Sequence, residues 1–380
     1  MDRLSLGVVG RSSKENEHRL PIHPLHLDRV EAELRPRLFF EHGYAERFGM
    51  ADEELAPLVA GFRTRAQLIE QCDVLLLPKP LHEDVAAFRE GQVLWGWPHC
   101  VQDETITQIG IDRRLTYIAW EAMHHWAKDG SFGVHVFHLN NELAGYCSVL
   151  HAMQLVGTTA DYGPRLRAAV ISFGATARGA VTALRAMGVH NISVLTHRDV
   201  SAVASPIPSV VLVSYQRNEG DSTRMTVLGK EGDVALPEYL AQFEIVVNCV
   251  LQDTDAPLMF VTSEELDLFA PRSLFVDVSC DLGMGFEWAR PTSFEEPMFT
   301  VGNGARYYAV DHSPSYLWNS STWEISEALL PFLGTVMNGP EAWAASHTIA
   351  KAIEIRDGVV QNPKILSFQG RQPDFPHARG

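Results

Sequence analysis

Phe173-Gly174-Ala175-Thr176-Ala177-Arg178-Gly179 follows an apolar run and opens a helix-patterned stretch. It keeps the first and third glycines of a Gly-x-Gly-x-x-Gly turn, with Thr176 in the middle position. Such a turn doubles the chain back tightly and presents unpaired N–H groups at a helix start, so the pyrophosphate of a dinucleotide is the expected ligand, with Arg178 beside it. In NAD sites the next strand ends in a carboxylate that holds the ribose hydroxyls. Here it ends Val194-Leu195-Thr196-His197-Arg198-Asp199. Thr196 or His197 occupies the acidic position and Arg198 stands next to it, which suits the 2′-phosphate of NADP. NADPH is therefore favoured over NAD; the plain alternative is a solvated Arg198 with Asp199 on the ribose. Val250, closing the apolar run 245–250, completes the expected cofactor contacts. Elsewhere, His99 sits just past the run 93–95, where an imidazole can pass a proton near neutral pH, and Arg19 can fork onto a carboxylate. Taken singly, Arg19 or Lys79 reads as a surface charge, His99 as a packing histidine and Asp281 as a turn cap. His124-His125 and the pair His135 and His138 lack the helical Glu or the cysteines of zinc sites, so no metal is expected.

The elements that must carry these residues alternate in type. Residues 4–9, 38–40, 74–77, 93–95 and 117–119 are short apolar runs, with helix-like stretches such as 24–34 and 64–70 between them, which implies a parallel, doubly wound sheet. Residues 141–155 have helical spacing and link to a second α/β region: runs 168–173, 192–195, 245–250 and 274–278, with helices at 179–187, 237–243 and 263–269. Residues 208–228 read as an inserted hairpin. The stretch 320–351 is helical in pattern, and the polar, Pro-containing tail 369–380 reads as loose. The expected architecture is α/β, two doubly wound Rossmann-like domains with a cleft between them. Residues 1–140 form a substrate domain completed by 316–380, and 141–315 form the dinucleotide domain.

Four segments recur together: Lys14-Glu15-Asn16-Glu17-His18-Arg19, Leu77-Pro78-Lys79-Pro80, the run from Gly91-Gln92 to His99-Cys100, and Val276-Asp277-Val278-Ser279-Cys280-Asp281. Their order and spacing resemble the superfamily of alanine dehydrogenase, transhydrogenase and lysine-forming saccharopine dehydrogenase, over nearly the whole chain. The resemblance implies that Arg19 and Lys79 bind substrate oxygens, that His99 gives and takes the proton, and that Asp281 completes the site. Alanine dehydrogenases carry an acidic residue after the second Rossmann strand and an Asn before their final helices; this chain departs at both, with Thr196-His197-Arg198 and Asp311-His312-Ser313-Pro314-Ser315. The latter looks like saccharopine dehydrogenase and puts His312 near nicotinamide or substrate. Length and Rossmann signals are most similar to N5-(carboxyethyl)ornithine synthases, which implies NADPH-dependent, opine-type condensation of a pyruvate-like 2-oxo acid with the amine of an ornithine- or lysine-like amino acid. The alternatives are alanine dehydrogenase-type oxidative deamination, saccharopine dehydrogenase-type activity and, more remotely, a non-catalytic dinucleotide sensor.

Composition bounds these readings. The 380 residues carry 31 Lys and Arg against 47 Asp and Glu, a formal charge of −16, with no basic run, which argues against nucleic acid as a partner. No window is apolar enough to span a membrane and the N-terminus lacks a secretory pattern, so a cytoplasmic enzyme of small-molecule substrates is expected, assembling as a homo-oligomer. Five cysteines without paired spacing read as free buried thiols.

Overall fold

Runs that are apolar at every position have no polar face to offer water, so they become strands covered on both sides. Val74–Leu77 is buried at all four positions. In the computed structural model, which describes residues 3–127, 129–197, 210–218, 224–229 and 232–379, six strands open the chain: β1 (Leu6–Val8), β2 (Leu38–Glu41), β3 (Gly61–Arg63), β4 (Val74–Leu77), β5 (Val93–Gly96) and β6 (Thr116–Ala119). All pair in parallel, in the spatial order β3-β2-β1-β4-β5-β6. The order reverses between β1 and β4, and ligands of open α/β sheets bind outside the carboxyl ends of the strands at such a reversal. Alternate residues feed two cores, Leu6, Val8, Phe40, Leu76 and Trp95 on one face and Leu75, Leu77, Leu94 and Tyr117 on the other. A hairpin of β7 (His124–Trp126) and β8 (Phe132–His135) follows.

After the helix His138–Leu155 the pattern repeats. The strands are β9 (Arg167–Ile171), β10 (Asn191–Thr196), β11 (Val211–Arg217), β12 (Met225–Val227), β13 (Val234–Ala235), β14 (Ile245–Asn248), β15 (Met259–Val261), β16 (Leu274–Asp277), β17 (Gly285–Phe286), β18 (Met298–Val301) and β19 (Ala305–Tyr308). The parallel core runs β11-β10-β9-β14-β16-β19, with β12 and β13 added at one edge and β18 at the other, all three antiparallel. Finally β20 (Ile353–Arg356) and β21 (Val359–Val360) rejoin the first sheet, β20 antiparallel to β6. The chain divides into two compact units, Met1–Phe137 with Trp318–Gly380, and His138–Leu317. Both are doubly wound.

Three local expectations are corrected. Residues 24–34 contain a 3-10 helix, Pro24–Arg29, in place of a longer α-helix: Pro24, His26 and Leu27 are buried while Leu25 is 60% exposed. Neighbouring inward positions suit a tight turn better than a stripe of period 3.6. The helix after Gly174 is Ala175–Ala186, beginning four residues before its strongest apolar pattern. The tail is held in place: Gln369, Arg371 and His377 are buried, Gln369 Nε2 donates to the carbonyls of Cys100 (2.7 Å) and Val101 (3.2 Å), and Val360 N–H donates to His377 Nε2 (3.0 Å). Its polar side chains satisfy buried backbone groups, which composition alone does not reveal. In residues 208–228 the hairpin forms, Tyr215 facing Val227, yet β11 is also the third parallel strand, Leu212 facing Val194. All five cysteines are buried thiols.

Candidate active site

In the first unit β4 and β5 run in register, Leu77 opposite Gly96. Gly96 lets their ends close up, since a Cβ there would lie 1.9 Å from the Leu77 carbonyl oxygen. Trp97 N–H then donates to the Pro78 carbonyl (2.9 Å), so Lys79 and His99 leave the sheet from adjacent strand ends. His99 has φ +50°, a left-handed conformation that costs a non-glycine residue energy and persists where the surroundings over-determine it. Those surroundings are specific. The His99 carbonyl accepts from Gln102 N–H (3.0 Å) and Asp103 N–H (2.9 Å), and its own N–H donates to Glu121 Oε1 (2.7 Å).

Glu121 is a site residue that motif reading missed. It follows β6, so Lys79, His99 and Glu121 each stand just past one of three consecutive parallel strands. Its Oε2 is sealed from solvent and has no hydrogen-bond partner among the described residues. Burial, then the charge of Glu354 on β20, push its carboxyl up to about 8, against the opposing pull of the His99 N–H and Lys79. It is mostly protonated at neutral pH.

Arg19 leaves the loop after β1 with its side chain only 4% exposed. Nε donates to Glu17 Oε1 (2.8 Å), Nη2 lies 2.5 Å from Glu17 Oε2, and the guanidinium stands 5.1 Å from the Trp97 ring centre. This couples Arg19 to the strand end that carries His99. Trp95, Trp97 and Trp120 are buried core: the Trp97 and Trp120 rings are 4.6 Å apart and Trp120 stacks on Phe137 at 4.9 Å.

In the second unit β9 runs into Gly174, which is extended (φ −87°, ψ −171°) and caps Ala175–Ala186 with no side-chain hydrogen bond. The Arg178 N–H makes the first helical bond, to the Gly174 carbonyl (3.1 Å), so the preceding N–H groups have no partner within the helix. A Cβ on Gly174 would meet nothing nearer than Ser172 Oγ at 3.9 Å. The turn is therefore open where a phosphate would lie, and the residues fit a dinucleotide. Thr176 sits in that first turn and Arg178 lies 5.1 Å from the Phe173 ring. Gly179 serves another purpose than closing the helix onto the strand: its Cβ would fall 1.7 Å from the Glu142 carbonyl oxygen, and one on Gly145 would fall 1.9 Å from that of Thr176. These two glycines let the helix cross His138–Leu155 at backbone distance.

Across the reversal between β9 and β14, Val250 is buried and its carbonyl accepts from Ser279 Oγ (2.6 Å). Thr196 ends β10 buried, and His197 is exposed with its ring 5.9 Å from that of Tyr215. Arg198 lies outside the described residues. Asp277, the last residue of β16, braces the turn that presents Asp281. Its Oδ1 accepts from Asn248 Nδ2 (3.0 Å), Ser279 N–H (3.1 Å) and Cys280 N–H (3.2 Å), and its Oδ2 from Tyr307 OH (2.6 Å). Burial pushes the Asp277 carboxyl up to about 6, although the Tyr307 hydroxyl pulls it down. Cys280 takes φ +58°, which turns the chain so that Asp281 is partly exposed. His312 is buried, its Nδ1 2.7 Å from Asp311 Oδ1 and its ring edge-on to Phe294 at 4.9 Å.

Residues 167–363 match the family described as alanine dehydrogenase/PNT, C-terminal domain. The N(5)-(carboxyethyl)ornithine synthase of Clostridium botulinum is 24% identical over 82% of this chain and 89% of its own. The alanine dehydrogenase of Halomonas elongata is 26% identical over 82% and 83%. An L-alanine dehydrogenase structure superposes with a TM-score of 0.74 at 18% identity, covering 96% of this chain and 99% of its own. A transhydrogenase from Sinorhizobium meliloti does so at 0.68 and 19%, covering 94% and 99%. No helix among the described residues is long and apolar enough to cross a membrane. With a match over residues 167–363 and relatives aligned over more than four fifths of its length, the chain belongs to the alanine dehydrogenase/PNT family and is an NAD(P)-dependent oxidoreductase acting on CH–NH or CH–NH2 groups.

Proposed function

We propose that the chain catalyses an NADPH-dependent, opine-type reductive condensation of a pyruvate-like 2-oxo acid with the side-chain amine of an ornithine- or lysine-like amino acid. The observation that carries this reading is the 24% identity to the N(5)-(carboxyethyl)ornithine synthase over 82% of this chain, and the row Lys79, His99 and Glu121 supports it, because joining an amine to a carbonyl needs proton transfers beyond the hydride. The donor nitrogen attacks the carbonyl carbon, a C–N bond forms, and a proton passes from nitrogen to oxygen. The C–O bond then breaks with a second proton delivered to the leaving oxygen, giving water and a protonated imine. His99 is assigned both transfers, as the group able to hold and release a proton near neutral pH. Lys79 is assigned the carbonyl oxygen and Arg19 the oxo-acid carboxylate. Asp281 orients the amine, and His312 is assigned a contact with the nicotinamide or the substrate. When bound, the dinucleotide supplies the hydride that reduces the protonated imine to a secondary amine. Gly174, Thr176 and Arg178 hold its pyrophosphate, Val250 flanks it, and Gly179 sets the helix that carries the turn.

NADP is favoured over NAD because Thr196 and His197 stand where a carboxylate would repel a 2′-phosphate, with Arg198 next in sequence. The second reading is alanine dehydrogenase-type deamination, favoured by the 26% identity to the Halomonas relative; the two differ in the amine partner. The test is NADPH and NADH oxidation with pyruvate plus ammonia, ornithine or lysine. Turnover fastest with ornithine or lysine is expected, and turnover fastest with ammonia rejects the condensation. An Arg198→Ala change is expected to raise KM for NADPH at least tenfold and leave NADH little altered; equal use of both cofactors before and after the change rejects NADP.

A further inference from the structure

The loop 10–16 after β1 and the segment 43–47 after β2 border an open cavity of about 570 Å³ within the first unit. Its wall is charged on both sides, with Arg11, Lys14 and Arg47 as cations and Glu17 and Glu46 as carboxylates. The frame around it is rigid. Gly10 N–H donates to Glu41 Oε2 (2.7 Å), Ser13 Oγ to Asp84 Oδ1 (2.8 Å), and Arg65 bonds both acids. The ion pair in the wall is loose by comparison: Arg11 Nη2 and Glu46 Oε2 are 3.6 Å apart, with side chains 75% and 70% exposed. Exposed pairs of this kind are weak and exchange readily for a ligand's charges.

Two residues of its wall bond to residues assigned to the chemistry. Ser12, in its wall, donates to the Lys79 carbonyl, and Glu17 is the residue that holds Arg19. The methyl group of pyruvate or alanine gains nothing among these charges, because desolvating them without partners is unfavourable. A group bearing one negative and one positive charge fits, its carboxylate on the cations and its ammonium on Glu46.

We propose that this cavity is the subsite for the remote α-amino-acid head of the amine donor, so that a diamino acid binds with its zwitterionic head here and its side-chain amine toward His99. This rests on the condensation reading, and the experiment separates the two. With NADPH and pyruvate fixed, ornithine and putrescine, which lacks the carboxylate, are compared in wild type, Arg47→Ala and Arg11→Ala. Both substitutions are at exposed positions, and each is expected to lower kcat/KM for ornithine at least tenfold while changing KM for pyruvate and kcat/KM for putrescine less than twofold. Ornithine kinetics unchanged in both variants overturn the subsite. Calorimetric titration of ornithine into the same three proteins with NADP present covers the case in which only ammonia turns over. The condensation reading then fails, while ornithine binding that is lost in Arg47→Ala still supports the subsite and no binding to wild type overturns it.

Discussion

Replacing Glu121 with Gln separates the charge of this buried carboxyl from its shape. In the folded chain the group titrates near 8 against an ordinary value of 4.5. Between those values the native state holds a proton that the unfolded chain has released, so stability falls as pH rises; the contribution is complete below 4.5 and gone above 8. Each pH unit inside the window is worth about 1.4 kcal/mol for one proton, and the whole shift is on the order of 5 kcal/mol. Glu121→Gln keeps an oxygen to accept from the His99 N–H and removes the titration. Relative to wild type, the variant should therefore gain roughly 2–3 kcal/mol between pH 5.5 and 7.5. Urea unfolding followed by tryptophan fluorescence reads the right unit, because seven of the eight tryptophans lie in it. Titrating groups that do not interact with Glu121 cancel in the difference between the two proteins. Parallel stability curves for wild type and variant would falsify the assignment of a neutral Glu121.

Other outcomes follow from the same structure. Burial lowers the titration of His23 and His26 below 6.5, so their contribution is present above that pH and lost as pH falls through it; His23→Gln should flatten the acid limb of the first unit's stability curve, and an unchanged limb refutes this. Gly145→Ala forces a Cβ against the Thr176 carbonyl oxygen and should cost about 3 kcal/mol, a drop of roughly 6–12 °C in the melting of the second unit; calorimetry showing less than 1 °C refutes it. Deleting residues 369–379 strips the Cys100 carbonyl of its Gln369 partner, a loss of about 1–3 kcal/mol for a buried acceptor left unpaired, and unaltered thermal unfolding would contradict that role.

The strands were legible because their pattern is local. Val74–Leu77 and Ile245–Asn248 are apolar throughout and buried throughout, and the glycine turn at Gly174 announces its own helix. What was not legible depends on partners distant in sequence. The inward positions of residues 24–29 are matched by partners far along the chain: His26 meets Ser326 at 2.8 Å, three hundred residues away. The tail reads as loose because its burial comes from hydrogen bonds to residues 100–108 and 360, and no composition window contains both sides. The contact that requires a glycine at 179 was not legible either, since the helix it touches lies N-terminal to the motif.

Glu121 shows why the site was half read. A single Glu after an apolar run has no spacing to mark it, and only the parallel register of β5 and β6, Gly96 opposite Ala119, sets it beside His99. Its protonation also distinguishes the two cations that the motifs singled out. Arg19 already faces Glu17 in a buried ion pair, so a substrate carboxylate adds to a compensated charge there. Lys79 pulls instead on a carboxyl that burial pushes up to about 8. Above it Glu121 ionises and draws Lys79 to itself, so the oxo-acid KM should climb with pH in wild type and stay level in Glu121→Gln. A climb of equal size in both proteins would assign the loss to Lys79 or the amine donor instead.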